Sequence, residues 1–260
     1  MDQVHKDMLF RWDQVKQIGE TMTNEAFGMI TRQIDLGDLS EEDIAVIAFN
    51  PLNYERTEIV EVEVDFPDLP PNKSMELLDA ETKQPVPFQL QDRRQWGANV
   101  MNPFDIPCPY HTRRFKFVFE ARDIPASGYR TFIVRSKAGE LVNYGSMLAA
   151  NNVMENEFLQ VKFNSNGTFD LTHKSTARTF RNCHFFEEDA EAGDPWTRIS
   201  PLVNPKYTSL GCAANISVAE DGELQTTFKV DIEMHVPKSL TDDKRKRSDE
   251  LVSLPISSLI

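Results

Sequence analysis

The segment at 57–66 constrains the fold of this chain more than any other. From Val60 onward, apolar and acidic side chains alternate there, and the apolar ones are Val60, Val62, Val64 and Phe66. Because successive side chains of a strand point to opposite sides, this pattern predicts a strand with one buried and one solvated face. A short apolar run, Val46–Phe49, precedes it, and Asn50-Pro51 separates the two. The pair is typical of the first edge of a β-sandwich.

Further strands of the same kind follow. The predicted ones are Met75–Asp79, Val86–Gln91, Phe115–Ala121 and Tyr129–Arg135. Phenylalanines at 115, 117 and 119 alternate with Lys116 and Glu120, so one face of that strand should be buried. These strands together have the size of a small immunoglobulin-like sandwich.

The chain begins differently, with a predicted helix over Asp2–Ile34. Its apolar positions are spaced by four and three residues, at Met8, Trp12, Val15, Gly19, Met22, Ala26 and Met29. That spacing forms a heptad seam, which a single helix cannot bury alone. We therefore expect the seam to pack on the sandwich, on a second copy or on helices outside this chain. An acidic linker at Ser40–Asp43 should end this part.

A second β-unit is predicted after a polar connector at Lys137–Asn152. The predicted strands are Glu157–Phe163, Thr168–His173, Phe180–Glu187, Tyr207–Glu220, Leu224–Pro237 and a final apolar one at 250–260. Asn166-Gly167 between the first two predicts a hairpin in which both turn residues adopt positive φ. The final strand ends without a polar cap, so we expect this unit to be the front of a larger sheet domain.

Charge and composition exclude several function classes. The formal net charge is −13, which argues against a nucleic-acid partner, and the basic run Lys244–Arg247 is flanked by acids and predicts a solvated, self-neutralised loop. No stretch approaches a membrane span, and the amino terminus lacks a signal-peptide core. Cys108, Cys183 and Cys212 are widely spaced, which predicts neither a disulfide framework nor a metal site and favours a cytoplasmic setting.

The densest polar segment, Glu187–Trp196, is the candidate site. Its carboxylates could hold sugar hydroxyls while Trp196 offers a flat apolar face to a pyranose ring. The competing interpretation, which composition favours, is a solvated loop whose Trp196 packs into the core. The five histidines do not cluster at metal-binding spacings, and no nucleophile motif is present. Residue types alone indicate no catalytic constellation.

Several motifs in order resemble glycoside hydrolase family 38, the α-mannosidases of bacterial type. They are Asp2-Gln-Val-His-Lys-Asp-Met, Phe49-Asn-Pro-Leu-Asn-Tyr-Glu-Arg, Pro85-Val-Pro-Phe-Gln, Asp123-Ile-Pro-Ala-Ser-Gly-Tyr, Glu155–Leu171, Ala192-Gly-Asp-Pro-Trp and Glu250–Ser258. The resemblance implies a mainly β fold in three parts. These are a long helix from a helical bundle (1–40), a middle β-sandwich domain (41–137) and part of a carboxyl-terminal, galactose-mutarotase-like β-sandwich (138–260).

The same resemblance implies a zinc-dependent retaining enzyme that hydrolyses terminal α-D-mannosides. In that family the nucleophile and most zinc ligands belong to an amino-terminal α/β domain that this chain lacks. We therefore expect the chain to be an inactive fragment, without catalytic or metal-binding residues of its own. Its parent should be a homo-oligomer, and the fragment should self-associate through its helix.

Asp194 and Trp196 are the site residues that the resemblance suggests. Loops of the large sandwich approach the sugar pocket in this family, and an aromatic residue, often Tyr, commonly follows the Gly-Asp pair. Here Pro195-Trp196 stands in its place, which removes a phenolic hydroxyl. We expect Asp194 and Trp196 to border the pocket. The alternative function is a self-contained β-sandwich module that binds carbohydrate or a protein.

Overall fold

The computed structural model describes residues 2–37, 39–67, 73–100, 106–139, 145–194 and 196–260. One helix, α1 (Asp2–Thr31), precedes two groups of antiparallel sheets. The mainly β fold with an amino-terminal helix is confirmed. Each group of sheets has its own hydrophobic cluster, whereas the exact boundaries at 40 and 137 stay a prediction.

Six strands form the first β-domain. They are β1 (Ile44–Asn50), β2 (Arg56–Pro67), β3 (Lys73–Asp79), β4 (Phe88–Val100), β5 (Cys108–Ile124) and β6 (Gly128–Ala138). Their two sheets have the orders β1-β6-β3 and β2-β5-β4. The alternation at 57–66 buries its apolar side as predicted, because Val64 and Phe66 join Phe115 and Phe117 in the core between the sheets.

Asn50 explains why the chain turns where β1 ends. Its buried side-chain Nδ2 donates to the carbonyls of Tyr54, Ile124 and Pro125, at 2.7, 3.2 and 3.1 Å. Its Oδ1 accepts from the Leu52 N–H at 3.0 Å. One amide therefore joins the turn after β1 to the turn before β6 and satisfies groups that burial would otherwise leave unpaired.

Strands β4 and β5 run further than predicted. They pair from Phe88↔Phe119 to Val100↔Cys108, whereas the described part of β2 pairs with β5 only as far as Pro67↔Thr112. A two-stranded ribbon therefore extends beyond the sandwich. On β4 near its base, the indole of Trp96 lies under the guanidinium groups of Arg94 and Arg114, 5.3 and 4.4 Å from the ring centroid.

The predicted amino-terminal helix is present as α1. Its heptad seam is not covered, because none of the residues of α1 is buried. Apolar side chains are exposed on the seam, as at Trp12 (64% exposed) and Met22, and also away from it, as at Phe10 and Ile18. Near its carboxyl end, Phe27 contacts β1. No helix among the described residues is long and apolar enough to cross a membrane.

Ten strands form the second β-domain. They are β7 (Leu148–Ala150), β8 (Val153–Glu155), β9 (Leu159–Phe163), β10 (Phe169–His173), β11 (Arg178–Cys183), β12 (Glu187–Glu188), β13 (Tyr207–Thr208), β14 (Ala214–Glu220), β15 (Thr227–Pro237) and β16 (Leu251–Leu259). The sheets have the orders β11-β10-β9-β8-β7, β12-β13 and β14-β15-β16. Phe163 of β9 packs against Phe228 of β15, with ring centroids 4.5 Å apart, and so joins two sheets.

Two details of this domain differ from the predictions. The connector at Lys137–Asn152 is partly ordered strand, since β6 extends to Ala138 and β7 begins at Leu148; residues 140–144 lie outside the described residues. Such short strands give too little alternation to be recognised. The predicted strand Phe180–Glu187 also ends at Cys183, because Asn182 and His184 adopt left-handed φ values of 52° and 63°.

The Asn166-Gly167 hairpin is confirmed, but its turn type was predicted wrongly. Gly167 has φ 84°, whereas Asn166 is not in the left-handed region. The connection includes Asn164–Thr168, and the Gly167 N–H donates to the Asn164 carbonyl at 3.0 Å. A longer connection of this kind requires positive φ at one position, unlike a two-residue turn. The predicted strand Tyr207–Glu220 is similarly interrupted by a 3-10 turn at Ser209–Gly211.

Candidate functional site

The candidate site is an excursion between β12 and β13, which we call the acidic loop (residues 189–206). Its two ends are held together where Glu187 pairs with Thr208 and Glu188 with Tyr207. Lys206 Nζ adds a contact of 2.5 Å to Glu187 Oε1. Because both ends are fixed on one short ladder, the loop is anchored to the second β-domain at its base.

Arg247 anchors the same base from the other side. The residue is 7% exposed, and its guanidinium donates to both carboxylate oxygens of Glu188 and lies over the Tyr207 ring, 5.3 Å from the centroid. The sequence predicted a solvated loop for the basic run Lys244–Arg247, and this prediction is wrong for Arg247. Arg247 is a buried structural residue, and its partner Glu188 lies 59 residues away in sequence. The acidic residues that flank the run therefore could not indicate this pair.

Glu191 closes the loop on itself. Its Oε1 accepts from the backbone N–H groups of Ile199 and Gly193, at 2.6 and 2.7 Å, and these bonds keep the pKa of the carboxyl below its usual 4.5. A side chain at Gly193 would meet the Thr197 carbonyl at 1.9 Å, so the turn requires glycine. Arg198 pairs with Asp189 at 2.6 Å. Much of the charge of the acidic loop is therefore used to hold its shape.

The two carboxylate oxygens of Asp194 differ: one holds the turn together and the other is free. Its Oδ1 accepts from the N–H groups of Trp196 and Thr197, at 2.9 and 2.8 Å. Its Oδ2 has no hydrogen bond with any residue that the structure describes. A turn of this kind fixes the aspartate and presents one carboxylate oxygen to solvent, where it can accept a hydrogen bond from a hydroxyl group.

Trp196 is 84% exposed, so the interpretation that packs it into the core is wrong. Leu202, elsewhere on the loop, is exposed to the same extent, and Ile199 and Val203 are more than half exposed. The loop therefore combines a bare indole, exposed aliphatic groups and the free Oδ2 of Asp194. Pro195, which separates Asp194 from Trp196, lies outside the described residues.

The described part of the chain places no metal site beside these groups. Among the described ranges, no three His, Cys, Asp or Glu side chains come together in a way that could hold an ion. His184, the histidine nearest the hairpin, is occupied structurally: its ring nitrogens lie 3.1 Å from the Gly167 carbonyl and 2.9 Å from Ser258 Oγ. The residues that the structure describes therefore do not fit a zinc ion.

A cavity of about 490 Å³ between the two β-domains was not predicted. Its lining comes from 79–87, 120–132 and 223–224, segments too far apart to give a local signal. The charged groups in it are largely paired with one another, as Arg130 with Asp79 at 2.9 Å and Arg122 with Glu120 at 2.5 Å. Paired charges leave few groups free to bind a ligand, so the acidic loop remains the better candidate.

Comparisons with known proteins bear on the fold. No family model matches the sequence. A crystal structure of an α-mannosidase from Enterococcus faecalis matches with a TM-score of 0.86 and 20% identity, over 100% of this chain and 33% of that one. A second structure from the same organism, described as a protein in glycosyl hydrolase family 38, gives 0.86 and 21% over 100% and 34%. The chain has the family 38 fold.

The family 38 fold confirms the resemblance drawn from the motifs, as far as architecture is concerned. A protein of Halalkalibacterium halodurans that carries the name mannosylglycerate hydrolase is 24% identical over 283 residues, which cover 98% of this chain and 30% of that protein. The chain thus spans about a third of the length of the proteins it matches. Neither comparison tests the roles of Asp194 and Trp196, which stay a prediction.

Proposed function

We propose that this chain is the supporting part of a longer family 38 glycoside hydrolase that removes terminal α-D-mannosyl groups. The observation that carries the proposal is the match of the whole chain, at a TM-score of 0.86, to a third of an α-mannosidase. The name of the H. halodurans relative points the same way, because mannosylglycerate also carries a mannosyl group. Free thiols at Cys108, Cys183 and Cys212 favour a cytoplasmic setting.

The chemistry of a zinc-dependent retaining enzyme would come from outside this chain. The described residues hold no cluster fit for a metal, and the acidic loop uses most of its carboxylates for its own structure. We therefore assign the zinc ligands, the nucleophile and the acid to the rest of the parent enzyme, and expect the chain alone to be inactive.

The complete reading frame provides the direct test. The parent enzyme should hydrolyse an aryl α-D-mannoside and lose that activity when a chelator removes its metal, whereas this chain with added zinc should give no more turnover than buffer. Turnover by the chain alone, or a parent active only on other glycosides, would overturn the proposal.

Within the parent, Asp194 and Trp196 would border the substrate pocket. The exposed indole offers a flat apolar surface for a sugar ring, and Asp194 Oδ2 can accept a hydroxyl. The hydrogen bonds of Asp194 Oδ1 to Trp196 and Thr197 keep both groups in one fixed arrangement. A preorganised pair of this kind binds without the entropic cost of ordering a mobile loop.

Substitutions in the parent enzyme can separate binding from loop structure. Asp194→Asn keeps an oxygen for the two backbone N–H groups and replaces the free carboxylate oxygen with an amide. We expect Asp194→Asn and Trp196→Ala each to lower kcat/KM for an aryl α-mannoside by about tenfold, the size of one lost polar or stacking contact. The control Leu202→Ala, at an equally exposed position, should change it less than about twofold. Equal values for all variants would remove both residues from the pocket.

The alternative, a self-contained module that binds carbohydrate or protein, is less well supported. A native module would cover the apolar surface of its helix, and α1 buries none of its residues. A helix that is apolar on more than one face requires packing partners. Those partners are expected in the parent enzyme, where α1 would belong to a helical bundle.

We also propose that α1, when it is separated from that bundle, drives self-association of this chain. The exposed seam, including Trp12, Val15 and Met22, supports pairing of two helices. In sedimentation equilibrium, Trp12→Lys should weaken association by at least about tenfold, since it places a charge in the seam. Gln17→Lys, an equal charge at a polar position of the helix, should not. A monomeric wild-type chain would contradict the proposal.

A further inference from the structure

The two β-domains meet at Gln89 of β4, a side chain that is 3% exposed. It reaches into the turn between β14 and β15, which we call the clamp loop (residues 220–226). Gln89 Nε2 donates to Glu220 Oε1 and to the Gln225 carbonyl, at 2.8 and 2.9 Å. Gln89 Oε1 accepts from the N–H groups of Leu224 and Gln225, at 3.1 and 3.0 Å. All four hydrogen-bonding positions of the amide are used.

The clamp loop is shaped to receive this one side chain. A Cβ at Gly222 would lie 2.0 Å from Gln89 Cδ, so only glycine allows the approach. Thr226 Oγ braces the loop from within, through contacts of 3.3 Å to the Gly222 N–H and 3.0 Å to Asp221 Oδ1. Gln91, next on the same face of β4, donates from Nε2 to Glu220 Oε2 at 3.0 Å.

The same loop also holds the segment that leads from one domain to the other. Ser146 Oγ lies 3.0 Å from Asp221 Oδ1, and the Met147 N–H donates to the Gly222 carbonyl at 3.1 Å. A Cβ at Gly145 would lie 2.2 Å from Glu223 Cβ, so the segment passes too closely for any larger residue. Two independent close contacts, each requiring glycine, therefore converge on the clamp loop.

We propose that the clamp loop fixes the two β-domains in one orientation, so that they unfold as a single cooperative unit. Domains joined by a connector normally move relative to one another unless their interface is strong. Withdrawing Gln89 would leave several buried polar groups without partners at once, which makes partial opening costly. The inference does not depend on the proposed glycosidase function, because it concerns contacts inside this chain.

Hydrogen exchange of the full chain gives the most direct test. The Leu224 and Gln225 amides should be protected in the wild type and should exchange at least about tenfold faster in Gln89→Ala, because that variant removes their acceptor. Gln95→Ala, an exposed glutamine on the same strand, is the matched control and should leave both rates unchanged. Calorimetry should show one two-state transition for the wild type and two transitions, or a broadened one, for Gln89→Ala.

A double-mutant cycle tests whether Gln89 and Glu220 act on each other across the domains. Gln89→Glu places a second carboxylate against that of Glu220 and should accelerate exchange of the Leu224 and Gln225 amides. Adding Glu220→Gln to that variant supplies a hydrogen-bond donor and should recover part of the protection. Two separate transitions in the wild type, unchanged exchange in Gln89→Ala, or additive effects in the cycle would overturn the proposal.

Discussion

The ring of Phe27 in α1 stacks on the ring of Phe49 in β1, with centroids 4.5 Å apart and planes inclined by 18°. Phe49 also contacts Tyr129 of β6, at 5.8 Å. The stack ties the end of an otherwise exposed helix to the first edge strand of the sandwich. The energy of this stack should therefore determine how often the carboxyl-terminal end of α1 detaches from the first β-domain.

Phe27→Ala should release the end of α1 without unfolding the sandwich. An aromatic pair contributes about 0.5–1.5 kcal/mol beyond the area it buries, so amides in the last turns of α1 should exchange about tenfold faster. Phe10→Ala, on an exposed part of the helix, is the control. Loss of sandwich stability comparable to a core substitution would show that the helix contributes more than this contact.

Asp43 makes the stability of the first domain depend on pH. Its carboxylate is fully covered and accepts two 2.8 Å bonds from Arg135, which lower its pKa from 3.8 to about 2. Because the folded pKa is depressed, the stabilisation is complete above pH 3.8 and is lost as pH falls towards 2. The Arg135 side chain is 42% exposed, so solvent screening weakens the pair and we expect a loss of only about 0.5 kcal/mol between pH 5 and pH 3.

Urea unfolding at those two pH values measures this effect. Asp43→Asn should be less stable than the wild type at pH 5, and the difference should shrink at pH 3. Glu76→Gln, which removes a more exposed pair with Lys137, is the control and should change the pH dependence little. A wild type and Asp43→Asn variant with equal pH dependence would refute the assignment.

Ser74→Ala should leave stability unchanged or raise it. Ser74 is 2% exposed, and its Oγ has no hydrogen-bond partner among the described residues. Removing a buried, unpaired hydroxyl removes its desolvation cost, a gain of about 0.5–1 kcal/mol. Thermal unfolding would measure it, and a Tm several degrees lower would indicate a partner for this hydroxyl.

Arg247→Lys should destabilise the second domain by about 1–3 kcal/mol, because an ammonium group cannot reproduce the paired bonds to Glu188. Arg245→Lys, an exposed position of the same basic run, should have little effect on denaturant midpoints. Similar midpoints for the two variants would mean that the buried pair adds no more than a surface charge.

Gly193→Ala should open the acidic loop, since its Cβ would lie 1.9 Å from the Thr197 carbonyl. The Ile199 amide, which donates to Glu191, should then exchange at least about tenfold faster while the core of the domain stays protected. Gly211→Ala has open space around it and serves as control. Unchanged exchange at Ile199 would show that the loop adapts without losing this bond.

Local alternation made much of the fold predictable. Val64 and Phe228 are buried because a strand with one covered face carries apolar residues at every second position. Long-range polar contacts were not predictable. Gln89 is 131 residues from Glu220 in sequence and resembles any surface glutamine, and its role depends on a turn that folds elsewhere.

The acidic loop illustrates the same limit. The resemblance selected Asp194 and Trp196, but composition alone placed the indole in the core. The hydrogen bonds of Glu191 and Asp194 to backbone N–H groups hold the chain in a shape that turns the ring outward. Such bonds depend on how the backbone folds back, and neither charge nor spacing encodes that.

The three tryptophans lie in three different parts of the molecule: Trp12 on the exposed helix, Trp96 beneath two guanidinium groups on the β4–β5 ribbon, and Trp196 on the acidic loop. The native chain thus contains a separate intrinsic fluorophore for each region. Variants that retain one indole at a time would let emission wavelength and quenching follow helix pairing, the surroundings of the ribbon and sugar contact independently, with no attached dye.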